Sequence, residues 1–371
     1  MKKTYKKIYL SLVSFIFISF FVCISYYFLA TNWFFLFILD GSSGLYEQQL
    51  VHLKQLCNNK KLLSYSHQYY VWFIDKSKDT LFDMKECKIE ELYKSDFTKN
   101  TKNKLNNNFD ILKYEKVFIW LKSKIKTQKI ALFFSGHGWP WNEGFEKVKT
   151  AINADDLIKT WGKIFENKKI NYLLFDACLT GNIETLVTLS TYVESVTVQH
   201  QTINSSGINF QILLDKLSRK LFISETDIAN NVTSSYRDEY NEMVYPISVA
   251  SYHSLENFNK YFELLNQQTK NLFKPKIPRE HYVMGWHELS ETFLDFSYFI
   301  EQTSNKILIK NYQTLLSKSL IDIFIKNTNI KGPTIYYPIN EIKEQKIKYL
   351  NTIFAKDYNY KDWIKFVIEK N

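Results

Sequence analysis

The sequence predicts an α/β fold with a mostly parallel central sheet covered on both faces by helices. Three observations predict it. Short segments that are apolar throughout, rather than alternating, recur along the chain, as strands buried on both faces of a parallel sheet must be. Segments with helical spacing separate them. Two of the apolar runs end abruptly in a reactive side chain, which is where open α/β sheets build their sites. With 371 residues and 45% hydrophobic content, the chain can bury one large core and is not a disordered protein.

The elements follow in order. Residues 1–7 carry four lysines, and residues 8–30 carry no charge and are dense in Phe, Ile, Leu and Val. That length crosses a hydrocarbon layer of ~30 Å, and the lysine-rich end stays in the cytoplasm. The reading is a cytoplasmic basic tail (1–7) and a single-pass transmembrane signal-anchor (8–30), with the body outside the membrane. The alternative is secretion after signal-peptide cleavage, for which Phe28-Leu29-Ala30 is a poor site.

Trp33-Phe34-Phe35-Leu36-Phe37-Ile38-Leu39 predicts the first strand, ending at Asp40-Gly41. Residues 45–57 have helical spacing. Tyr69-Tyr70-Val71-Trp72-Phe73-Ile74 predicts a second strand. Residues 77–108 are polar and rich in Lys and Asn, and predict loops. A helix over 112–122 precedes strands over 130–134 and 172–175. A helix over 180–190 and strands over 193–199 and 247–251 follow, then a helix over 255–272. The main body is placed at 31–274. Residues 275–371 form a helix-rich region packing on it, divided at Pro275 and Pro278 and containing one strand candidate, Thr334-Ile335-Tyr336-Tyr337-Pro338.

The net charge of +10 is spread over lysine-rich loops and tails without a nucleic-acid motif, so no nucleic-acid partner is expected. Four cysteines are too few for a disulfide scaffold. Cys57 and Cys87 are left open as a pair. His287-Glu288-Leu289-Ser290-Glu291 lacks the second histidine of a zinc-protease helix, and no metal site is expected.

The chemistry sits at two strand ends. Ile130-Ala131-Leu132-Phe133-Phe134 delivers Ser135-Gly136-His137-Gly138, and Tyr172-Leu173-Leu174-Phe175 delivers Asp176-Ala177-Cys178-Leu179. A thiol, a proton-transfer partner and oxyanion donors are what amide hydrolysis by cysteine needs. Cys178 supplies the first and His137 the second. The Gly138 amide is free to serve as oxyanion donor. A helix starting near Thr180 would aim its N-terminal amides at the sulfur and lower the thiol pKa. Asp176, two residues before Cys178 on a strand, shares its face and would attract a cationic substrate residue. His200 reads as an exposed loop histidine.

Ser135-Gly136-His137-Gly138 and Asp176-Ala177-Cys178-Leu179-Thr180-Gly181 resemble the two signature blocks of the clostripain family of cysteine peptidases. Downstream, Tyr245-Pro246-Ile247-Ser248-Val249-Ala250, Leu294-Asp295-Phe296-Ser297-Tyr298-Phe299-Ile300 and Gly332-Pro333-Thr334-Ile335-Tyr336-Tyr337-Pro338 resemble further family blocks. The resemblance implies a caspase-like α/β/α sandwich and a Cys/His dyad of Cys178 and His137. It implies an S1 pocket with Asp176, favouring Arg or Lys at P1; Asp40 matches a second acidic position and is assigned to the same pocket. No cofactor is expected. The resemblance leaves calcium open, with Asp155-Asp156 as the ligand pair, and helix capping is the reading preferred here. A monomer acting on a protein or peptide with basic P1 is expected. Family members are often cut between the two blocks, where Lys147 and Lys149 stand. Val198-Gln199-His200-Gln201 replaces the small and acidic residues usual in the cleft wall. A transpeptidase on the same fold and a peptide-binding pseudo-enzyme stay open as alternatives.

Overall fold

The computed structural model describes residues 11, 13–21, 32–42, 44–58, 67–74, 80–84, 88–90, 111–125, 129–138, 154–220, 223–272, 277–283, 292–339 and 343–368. The first half of the chain gives β1 (Trp33–Asp40), α1 (Tyr46–Asn58), β2 (Gln68–Ile74), β3 (Thr80–Asp83), β4 (Lys88–Glu90), α2 (Ile111–Lys124), β5 (Lys129–Ser135), α3 (Ala154–Phe165) and β6 (Ile170–Asp176). Then come α4 (Ile183–Leu189), β7 (Val193–Gln199), α5 (Phe210–Leu217), α6 (Glu225–Tyr240), β8 (Ile247–His253) and α7 (Glu256–Gln268). The C-terminal part holds β9 (Phe293–Asp295), α8 (Phe296–Gln302), α9 (Lys306–Ser319), β10 (Leu320–Lys326), β11 (Thr334–Tyr336), α10 (Lys343–Leu350), α11 (Ile353–Lys356) and α12 (Lys361–Ile368).

The main sheet runs β10-β8-β7-β6-β5-β1-β2-β3-β4. β2, β1, β5, β6 and β7 are parallel, and antiparallel strands extend both sides. Every residue of β1 is buried. Its alternate residues feed two cores: Phe34, Leu36 and Ile38 on one face, Trp33, Phe35, Phe37 and Leu39 on the other. This is why the strand reads as an unbroken apolar run. Chain order reverses between β1 and β5, so the crevice at the strand ends opens there.

Three expectations need correction. Residues 80–83 and 88–90 are strands rather than loop; they complete the sheet by pairing with β2 and each other, a stabilisation supplied by the neighbour and not by local propensity. The strand candidate at 334–338 is the three-residue β11, which pairs with β9 outside the main sheet. The C-terminal third also supplies β10 to that sheet, antiparallel to β8. Of the expected anchor, only residues 11 and 13–21 lie among the described residues; they are helical, with Phe15, Phe17, Ile18 and Phe20 exposed. No helix among the described residues is long and apolar enough to cross a membrane, so the anchor over 8–30 is not shown. Cys87, His287 and the stretch containing Lys147 and Lys149 lie outside the described residues.

Candidate active site

β5 and β6 run side by side with Ser135 opposite Asp176, and the Gly136 amide donates to the Asp176 carbonyl at 3.2 Å. His137 and Cys178 therefore leave neighbouring strands at the same level. The backbones stay in contact beyond the ladder. A Cβ on Gly138 would stand 2.2 Å from the Cys178 carbonyl oxygen and 2.6 Å from its amide nitrogen. Only glycine permits that approach.

Cys178 sits on a sharp turn. Leu179 has φ +58°, a conformation costly for a branched side chain. The turn is held from several sides. The Leu179 amide donates to Gln201 O (3.2 Å), the Gly181 amide to Gln199 O (2.7 Å), and the Thr334 amide to Gly181 O (2.9 Å). Asn182 donates to Leu179 O at 3.0 Å and caps α4 by accepting from the Thr185 amide at 2.7 Å. The C-terminal segment β11 thus touches the loop that carries the thiol.

The sulfur is half-buried and receives the Ile203 amide at 3.4 Å. Burial, aided by the nearby Asp176 charge, pushes the thiol above its ordinary range, against the pull of the Ile203 backbone contact. This corrects the expectation of a thiol lowered by a helix N-terminus. α4 begins at Ile183, five residues past the cysteine, and its cap is Asn182. His137 is half-buried, and burial pushes its imidazole down. Among the described residues no hydrogen bond holds its ring.

Asp176 is 2% exposed. Its Oδ1 accepts from the Tyr236 hydroxyl at 2.5 Å and from the Ile208 amide at 3.2 Å; its Oδ2 accepts from the Ser135 hydroxyl at 2.8 Å. Gly207, with φ +55°, lies over the carboxylate: a Cβ there would meet Oδ2 at 2.4 Å. Asp40 is fully buried, accepts from the Ser42 amide at 3.0 Å, and packs against Gly136. It sits behind the histidine turn, on the far side of β5 from Asp176. His200 is fully buried rather than exposed, with Ser248 Oγ at 2.8 Å and Tyr252 OH at 3.1 Å. Asp155 binds the Ile353 amide at 2.7 Å and so ties α3 to the C-terminal region. No group of three or more metal-ligating side chains occurs among the described residues.

Sequence reasoning missed Tyr236 and His52, which stand singly on helices with no motif around them, and left Ser135 without a role. Their place beside Asp176 comes from the packing of α6 and α1 on the strand ends.

The Clostripain family profile matches residues 51–362. Among curated proteins no significant match is found. Among solved structures, a secreted C11 cysteine protease from Bacteroides thetaiotaomicron, "iotapain", is 12% identical with a TM-score of 0.67, covering 88% of this chain and 98% of its own. A secreted C11 protease from the same organism, in complex with an irreversible peptide inhibitor, is 14% identical with a TM-score of 0.68, covering 90% and 99%. An inactive zymogen C11 protease from Parabacteroides distasonis is 13% identical with a TM-score of 0.67, covering 90% and 98%. These likenesses are of fold: an α/β architecture with a mostly parallel central sheet. The family match extends over most of the chain, including both strand ends, and the chain belongs to the clostripain family of cysteine-type peptidases.

Proposed function

We propose that the chain is an endopeptidase that cleaves after arginine or lysine, with Cys178 as nucleophile, His137 as proton-transfer partner and Gly138 as oxyanion donor. The observation that carries this reading is the seating of the Gly138 backbone on that of Cys178 at adjacent strand ends. A peptide carbonyl within reach of the sulfur is then also within reach of the amide one residue past His137.

In the first step the Cys178 sulfur, its proton taken up by His137, bonds to the scissile carbonyl carbon. The carbonyl oxygen becomes an oxyanion facing the Gly138 amide. His137 returns the proton to the amide nitrogen, the C–N bond breaks, and the new amine leaves. A water molecule, losing a proton to the imidazole, attacks the thioester; the C–S bond breaks and the carboxylic acid and thiol are restored. Asp176 is the acid proposed for the floor of S1. Hydrogen bonds from Tyr236, Ser135 and Ile208 hold its two oxygens in place, and a fixed carboxylate suits a cationic P1 side chain. Asp40 is proposed to brace the His137 turn at the pocket's edge. The uncharged N-terminal stretch, 8–30, supports export of the body from the cytoplasm, either anchored or released as the secreted neighbours are described.

Fluorogenic peptides with Arg, Lys, Asn or Asp at P1 test the reading, with Cys178→Ala alongside. Cleavage after Arg and Lys by the unmodified enzyme, abolished in the variant, is expected. Equal silence of both, with no labelling by a thiol-reactive peptide probe, refutes it and leaves the peptide-binding pseudo-enzyme.

A further inference from the structure

We infer that Ser135 and Tyr236 are positioning residues for the S1 carboxylate, setting how strongly the enzyme prefers a cationic P1 residue. This inference rests on the proposed role of Asp176. The serine of the histidine block has no part in bond breaking, yet it is 1% exposed and tied on every side. Its hydroxyl donates to Asp176 Oδ2 at 2.8 Å. Behind it, Gln49 Nε2 donates to its oxygen at 3.2 Å, and His52 Nδ1 stands 3.3 Å away. Gln49 and His52 are themselves 1% exposed.

The donor and acceptor count fixes the direction of these bonds. Gln49 occupies a lone pair on the Ser135 oxygen, so the hydroxyl proton points away from Gln49. His52 Nε2 lies 2.9 Å from Ser206 O; a carbonyl only accepts, so Nε2 carries a proton. His52 Nδ1 also faces Gln49 Oε1, at 3.4 Å. A carboxylate oxygen accepts, so the Ser135 hydroxyl donates to Asp176 Oδ2 at 2.8 Å, the shortest of its contacts. On the other side, Tyr236 is fully buried. Burial and the Asp176 charge push its phenol far up, so it stays a donor to Oδ1. Two hydroxyls from opposite walls therefore hold the two carboxylate oxygens, one each. They fix the rotamer of the carboxylate and the place of both its oxygens. The titratable groups facing the carboxylate are His52 from α1, Tyr236 and Tyr240 from α6, and Cys178 from its own loop. Glu239 stands behind His52 and Tyr240.

The test compares kcat and KM on paired peptides with arginine or citrulline at P1, which share shape and differ in charge. The full-length enzyme, Ser135→Ala, Tyr236→Phe and Asp176→Asn are assayed side by side, with thermal unfolding measured on each. The unmodified enzyme prefers arginine, and Asp176→Asn removes the preference. Ser135→Ala and Tyr236→Phe each lower the arginine-to-citrulline ratio of kcat/KM roughly tenfold, as loss of one hydrogen bond to a charged group does. The loss falls on KM for arginine. A ratio unchanged in both variants, or an equal fall on both peptides, overturns the positioning role while leaving the S1 reading intact. No arginine preference in the unmodified enzyme overturns that reading and this inference together.

Discussion

Glu184 offers a perturbation whose size can be worked from the structure. It lies in the first turn of α4, 3% exposed, with Oε1 accepting the Tyr336 amide of β11 at 3.0 Å. Burial pushes its carboxyl up to about 7, against an ordinary 4.5, even though the Tyr336 contact pulls the other way. The folded protein therefore keeps a proton that the unfolded chain releases. Between pH 4.5 and 7 the native state binds more protons than the unfolded state, so stability falls as pH rises through this window. The contribution of this one group is complete below about pH 4.5 and lost above about pH 7. The gap of roughly two and a half units, at ~1.36 kcal/mol each, amounts to about 3 kcal/mol at pH 8. Glu184→Gln keeps the acceptor for Tyr336 and places an N–H donor where the protonated acid holds its O–H. At pH 5 the variant should match the parent within about 0.5 kcal/mol; by pH 8 it should be more stable by up to about 3 kcal/mol. Urea unfolding at pH 5, 6, 7 and 8, in a Cys178→Ala background that prevents self-cleavage, measures both. A stability difference that does not change with pH refutes the reasoning.

Two further outcomes are expected. Gly138→Ala forces a methyl against the Cys178 backbone, where no flexible side chain can yield; a displacement on the order of 1 Å costs roughly 100-fold in turnover, and kcat/KM at wild-type level in a folded variant contradicts it. Burial holds the His200 imidazole down at about 3; its contribution to stability is present above pH 6.5 and is lost as pH falls toward 3. His200→Gln should flatten the fall in urea midpoint between pH 6.5 and 4, and an unchanged slope would count against it.

The parallel heart of the sheet was legible because its strands are buried on both faces. Trp33 to Leu39 and Ile130 to Phe134 carry no polar residue at all, and short runs of that kind that end in glycine-containing turns fit strands buried on both faces. β3 and β4 were illegible because their stability is borrowed from β2 and from each other. The two reactive strand ends were legible because a glycine pair around His137 and an Asp two before Cys178 are local patterns. The neighbourhood of Asp176 was not. Ser206, Tyr236 and His52 lie 30, 60 and 124 positions from it, and only the packing of helices on the sheet brings them together. His200 was misread because its polarity suggested solvent, whereas Ser248 and Tyr252 satisfy both ring nitrogens in the core.

The electrostatics of the thiol bear on how the proposed dyad works. Burial raises Cys178 and lowers His137, so near neutrality the resting pair is thiol and neutral imidazole. A preformed thiolate–imidazolium pair needs donors around the sulfur. Here it receives the Ile203 amide, while the Thr185 amide of α4 donates to Asn182. The acid beside it adds negative potential. On the proposed S1 role of Asp176, a cationic P1 side chain seated there offsets one of the two influences that hold the thiol up. On that reading P1 recognition and thiol activation become a single electrostatic event, in which the buried donors on Asp176 take part.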